Sequence, residues 1–158
     1  MNSSSCQRTA TNSGFTLIEL MVTIAVLAII VSIAVPNIST QLANQRVKLT
    51  AVTLTNALKE AKVESVIRRQ SISLSYDNSS NPRVINIKNS DTRTIASYSY
   101  ESKSTIKAAQ SSVTFYPSKH VNTIVTYTVC DDSSLATPRQ VSVTKLANIT
   151  SQIGGTCS

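Results

Sequence analysis

Residues 15–35 read FTLIELMVTIAVLAIIVSIAV, 21 residues with a single charged side chain, Glu19. At about 1.5 Å of rise per residue, a helix of that length matches the roughly 30 Å hydrocarbon core of a bilayer. This end of the chain is therefore committed to lipid or to other apolar helices. The preceding residues, MNSSSCQRTATNSG, are polar, carry one basic side chain (Arg8) and hold no apolar stretch. An ordinary secretory signal has a shorter apolar region and is cut after it, at small residues. Here the run is long enough to be retained as it closes at Ser32, Ala34 and Pro36, so processing before it fits better. Cys6 follows three serines, where a lipid-attachment site needs an apolar residue.

A carboxylate in a membrane helix costs about 2.5 to 3.5 kcal/mol at the bilayer centre and less near an end, so Glu19 calls for a partner or a route to water. Charge placement gives only weak orientation, because Arg8 precedes the span while Arg46 and Lys48 follow it. Pro36 removes a helical donor and crowds the preceding turn, which predicts a kink or local break there.

From residue 37 to 70 the chain turns polar but keeps helical spacing, with Val47, Ala51, Leu54, Leu58 and Ala61 recurring every three or four residues. Neither Pro nor Gly interrupts it after 37, and the run 57–62 (ALKEAK) is rich in helix formers. The expectation is a helix continuing the apolar one into a spine about 80 Å long, with one stripe facing a core. After Gln70 the period changes to two. Segments 71–77, 83–88, 94–100, 105–109, 112–116, 121–130 and 139–145 are rich in Val, Ile, Thr and Tyr and separated by Asn-, Ser- and Pro-rich turns. Six or seven short strands are expected, in an antiparallel sheet packed on the helix stripe. The fold class is α+β. With aromatics at 4% and no Trp, the core must be mainly aliphatic and modest.

The segment Gly14-Phe15-Thr16-Leu17-Ile18-Glu19-Leu20-Met21 resembles the junction that prepilin peptidase recognises in type IV pilins and type II secretion pseudopilins. That resemblance implies cleavage between Gly14 and Phe15, methylation of the new Phe15 amine and retention of the apolar helix. Glu19, one helical turn from a charged terminus, would then neutralise the terminus of a neighbouring subunit during assembly. The implied divisions are a leader at 1–14, a transmembrane and assembly half-helix at 15–36, an amphipathic half-helix at 37–70 and a β-rich head at 71–158. Loss of the leader removes Cys6 and leaves Cys130 and Cys157, expected to pair as a disulfide in an oxidising compartment. The passage 58–74, together with 113–117 (VTFYP) and 127–132 (YTVCDD), is similar to the GspH/FimT/FimU class of minor pilins and pseudopilins.

What the resemblance implies about function is a structural subunit, a minor pilin in the initiation or tip complex of a type IV pilus that serves twitching motility, adhesion or DNA uptake. Its partners would be other minor and major pilins, prepilin peptidase, the inner-membrane assembly platform and the lipid bilayer. Its place would be the inner membrane, single-pass, with the head in the periplasm, before incorporation into a surface pilus. A type II secretion minor pseudopilin of the GspH kind is one alternative. A DNA-binding minor pilin acting in natural transformation is another, since the chain carries 15 Lys and Arg against 8 Asp and Glu. Candidate phosphate contacts are Arg68, Arg69, Arg83, Lys88, Arg93, Lys103 and Lys107, with Tyr98 and Tyr100 for base stacking. The DNA-binding members resembled carry Gly-Arg-x-Arg, whereas residues 137–143 here read TPRQVSV, with one arginine and no glycine.

An enzyme is not expected. His120 is the single histidine and has no Cys or Asp at nucleophile–base spacing. Asp131 and Asp132 are adjacent in a strand and point to opposite faces, which suits a turn or cap rather than an acid–base pair. No phosphate loop, metal cluster or cofactor motif is present in the sequence.

Overall fold

The computed structural model describes residues 15–133 and 136–157, with the side chains of 34–37 excepted. The leader, with Gly14, Cys6 and Arg8, lies outside the described residues, as does the side chain of Pro36. Helix α1 spans Leu17–Arg68, and the chain divides into two compact units between Asn37 and Ile38.

In the second unit the spacing of small and aliphatic residues sets the packing. Val47, Ala51, Leu54, Leu58 and Ala61, the expected stripe, are all buried, joined by Ala43, Thr50, Ala57 and Ser65 on the same side. Ala51, Ala57 and Ala61, with Leu54 and Leu58, join the apolar residues of the strands in one buried cluster. The helix stops where Arg69 takes a left-handed conformation (φ 53°), the position usually given to Gly or Asn after a helix end.

Among the described residues eight strands follow: β1 (Ile72–Asp77), β2 (Arg83–Lys88), β3 (Thr94–Tyr100), β4 (Ser104–Lys107), β5 (Ser112–Phe115), β6 (Val125–Asp131), β7 (Arg139–Val143) and β8 (Ile149–Ile153). They form two antiparallel four-stranded sheets, in the orders β3-β2-β1-β5 and β4-β6-β7-β8. The expectation of one sheet from six or seven strands thus becomes two sheets from eight. The chain crosses to the second sheet at β4, returns for β5 beside β1, and then completes the second sheet.

Alternation along the strands gives each sheet one apolar face. Ile72, Leu74, Ile85, Ile87, Val113 and Phe115 from the first sheet meet Ile106, Val125, Tyr127, Val129, Val141 and Val143 from the second, all in one cluster with the helix stripe. Tyr127 is the largest fully buried side chain and meets Tyr76 edge-on, with ring centroids 6.0 Å apart. Cys130, at the end of β6, forms a disulfide with Cys157, closing a loop of sequence separation 27 that contains β7 and β8. By the chain-entropy account, such a closure stabilises by about 3 to 4 kcal/mol.

Candidate assembly site

The first unit begins with a local device. Glu19 N donates to Thr16 Oγ1 at 3.3 Å, and Leu20 N donates to Thr16 O at 3.2 Å. Thr16 is therefore the N-cap and Glu19 the third helical residue, the Thr-x-x-Glu spacing of a capping box. The Glu19 carboxylate sits in the first turn, where the partial positive charge of a helix start favours an anion by about 0.3 to 1 kcal/mol at exposed sites.

Beyond that turn the rod is apolar on all sides. Every large apolar side chain from Phe15 to Ile33 is at least half exposed, from 50% at Val26 to 79% at Phe15. A helix without a polar face has no favourable orientation on a water-facing surface and needs lipid or other helices around it. The hydroxyls in the run turn back on their own backbone: Thr23 Oγ1 donates to Leu20 O at 2.8 Å and Ser32 Oγ to Ile29 O at 2.7 Å. Glu19, by contrast, is an exposed carboxylate on this apolar surface. Among the described residues no single helix is long and apolar enough to cross a membrane alone, whereas Leu17–Ile33 together with Ile38–Arg68 reaches the length and composition.

The seven cations suggested as phosphate contacts fall into two groups. Arg68 pairs with Glu64 one turn earlier, Arg69 follows the helix, Lys88 lies opposite Ser73 at the start of β1, and Arg93 N donates to Asn89 Oδ1 at 2.9 Å in the β2–β3 turn. These four lie at the end where the helix hands over to β1. Arg83 is at the other end of β2, its Nη1 donating to Ser104 O at 2.7 Å and to Thr105 Oγ1 at 3.0 Å. Lys107 Nζ donates to Cys157 O at 3.3 Å, and the Lys103 carbonyl accepts from Asp132 N. The structure brings together four of the seven and sets three at the opposite end of the first sheet. Tyr100 is not available for stacking: it is buried and its hydroxyl donates to Asn78 Oδ1 at 2.7 Å. Tyr98 is half-buried with its hydroxyl on Glu60. His120 Nδ1 lies 2.8 Å from Ser118 Oγ in the β5–β6 loop, beside the Tyr116 ring.

Asp131 does more than shape a turn. Its Oδ1 does accept from Ser133 N and Ser133 Oγ, at 3.0 and 2.7 Å. It also forms a bidentate pair with Arg46 of the helix, Nε to Oδ2 at 2.8 Å and Nη2 to Oδ1 at 3.1 Å, with its side chain 1% exposed. Burial alone would raise the Asp131 carboxyl, but the hydrogen bonds from Arg46 and Ser133 and the Arg46 charge outweigh it and hold the group at about 2. Nothing in the local sequence announces this pair, whose members are 85 residues apart. Thr16 is different, because its three-residue spacing to Glu19 is a signal available in the letters themselves.

Residues 10–35 match the model of the prokaryotic N-terminal methylation motif, so the capped, apolar rod coincides with that motif. Two solved structures of the Pseudomonas aeruginosa type IV minor pilin FimU are similar to this chain at 18% identity. Their TM-scores are 0.58 and 0.60, with 70% and 72% of this chain and 99% and 96% of theirs covered. The fold is that of the type IV minor pilins. The minor pseudopilin EpsH of the Vibrio cholerae type 2 secretion system shares it, at TM-score 0.55 and 10% identity, over 68% of this chain and 97% of that one. No curated protein sequence matches the chain. In this minor-pilin fold the helix stripe and the β1–β2–β3 meander are the parts the sequence marked most clearly.

Proposed function

We propose that this chain is a filament subunit, a minor pilin that enters the initiation or tip complex of a type IV pilus. In this reading prepilin peptidase removes 1–14 by cutting between Gly14 and Phe15, and the Phe15 amine is methylated. Residues 15–36 then hold the chain in the inner membrane, 37–70 continue as the amphipathic half-helix, and 71–158 form a periplasmic head. The other minor and major pilins and the inner-membrane assembly platform are its partners, and twitching motility, adhesion or DNA uptake are the processes it serves.

The observation that carries this is Glu19, a carboxylate in the first turn of a helix exposed and apolar all round, inside a matched methylation motif. Such a charge is tolerated in lipid only near water or a counter-charge, and the amine of a neighbouring subunit supplies one at assembly. Mass spectrometry of the protein purified from its native membrane tests it. The expected N-terminus is N-methylated Phe15; an unprocessed start, or a cut beyond Val35, overturns it.

The similarity to EpsH favours one second reading, a minor pseudopilin of a type II secretion system. The same processing is expected there, and deletion separates the two: loss of surface pili supports the pilus, and loss of protein secretion with intact pili supports the secretion system. DNA capture is a weaker third reading, resting on the four cations at the helix-to-β1 end rather than on all seven.

A further inference from the structure

Strand β8 is the outer strand of the second sheet, and among the described residues no strand pairs with its outward edge. Thr144 N donates to Asn148 O and Gly154 N donates to Pro138 O, each at 3.0 Å. In an antiparallel ladder hydrogen-bonded pairs alternate, so the register Val143↔Ile149 to Arg139↔Ile153 assigns the inward bonds to Thr150 and Gln152. The backbone N–H and C=O groups of Ile149, Ser151 and Ile153 then point outward, away from β7. The strand reads ITSQI, with no charge and no proline, so it lacks the usual devices that block an edge.

The side chains of Ile149, Ser151 and Ile153 stand on the same face as their cross-strand partners Val143, Val141 and Arg139, the face that looks to the core. Ser151 and Ile153 are nevertheless exposed, Ile153 at 65%. Two hollows lie between the ends of β8 and the flank of α1. Lys59, Lys62 and Val63 line one beside Ile149, and Gln45, Lys48 and Arg139 line the other beside Ile153. Both linings carry cations and no carboxylate, with Lys62 Nζ anchored on Ala147 O at 2.9 Å and Lys48 and Lys59 exposed.

We propose that this edge takes an extended acidic segment of a partner protein as a fifth strand of the second sheet. Ile149, Ser151 and Ile153 supply the main-chain hydrogen bonds, and alternate acidic side chains of the incoming strand meet Lys48 and Lys59 along the helix flank. The proposal uses only residues of the second unit and is independent of N-terminal processing, so the two fail separately.

The test is fluorescence anisotropy on the full chain in detergent micelles. The probe is an eight-residue peptide alternating Glu with Val, compared with the same peptide N-methylated at alternate amides and with a Lys–Val counterpart. Micromolar binding of the acidic peptide alone is expected. The variant Ser151→Pro removes one outward N–H without touching a β7 bond, and should weaken binding tenfold or more with the melting temperature held. Lys48→Glu with Lys59→Glu should do the same. Absence of binding at millimolar peptide, or equal binding of the N-methylated peptide, overturns the proposal. A single-stranded oligonucleotide that binds, is lost in the lysine variants and is indifferent to Ser151→Pro also overturns it, in favour of a plain cationic surface. If Ser151→Pro fails to fold, the N-methylated peptide on the unaltered chain still decides.

Discussion

The Arg46–Asp131 pair shows how one residue joins a helix to a distant strand end. A buried carboxylate is costly unless its oxygens are met, and here a guanidinium fork and two Ser133 donors meet them. Because its folded value is lowered to about 2 from 3.8, its contribution is fully present above about pH 4 and is lost as pH falls through 2. Relative to Asp131→Asn, the unaltered chain should therefore lose on the order of 2 kcal/mol between pH 6 and pH 2, read from denaturant melts in micelles. A difference that stays constant with pH would show that the charge is not stabilising. Arg46→Ala should cost about 3 kcal/mol at neutral pH, since it strands the carboxylate in the interior.

At the scale of elements, the Cys130–Cys157 bridge encloses β7 and β8, the two strands furthest from the helix-to-β1 junction in sequence. Replacing both cysteines with serine should lower stability by about 3 to 4 kcal/mol and the melting temperature by roughly 10 to 20 °C. Differential scanning calorimetry of oxidised, reduced and double-serine protein checks this, and coincident melts would refute it. Much of the element pattern was legible in the letters. β2 and β3 match the alternating runs end to end, because Asn-, Ser- and Pro-rich turns punctuate β2 on both sides and β3 at its start. β8 was not, since ITSQI places three polar residues between its isoleucines, as an edge strand wet on both faces can. Nor was the split into two sheets, because pairing β5 with β1 and β4 with β6 is a non-local choice that alternation does not encode. Of the candidate site, Glu19 was legible from its isolation in an apolar run, whereas the Arg46–Asp131 contact was not.

For the whole molecule, the proposed assembly role rests on the first unit and the folding demand on the second. Glu19→Ala removes a charge that folding of the second unit does not use, so solubility, melting and membrane insertion should be unchanged while entry into filaments falls at least tenfold. Carbonate extraction of membranes and counts of sheared pili read the two effects separately; normal piliation in the variant would refute the assembly role. The Thr16 cap bears on the same event. Thr16, Glu19 and Leu20 all lie after the proposed cut between Gly14 and Phe15, so the knot that starts the coil would survive the scissors. Trimming the leader would leave the first turn already wound, with a fresh cation one residue ahead of it and no rewinding needed before the subunit is handed on.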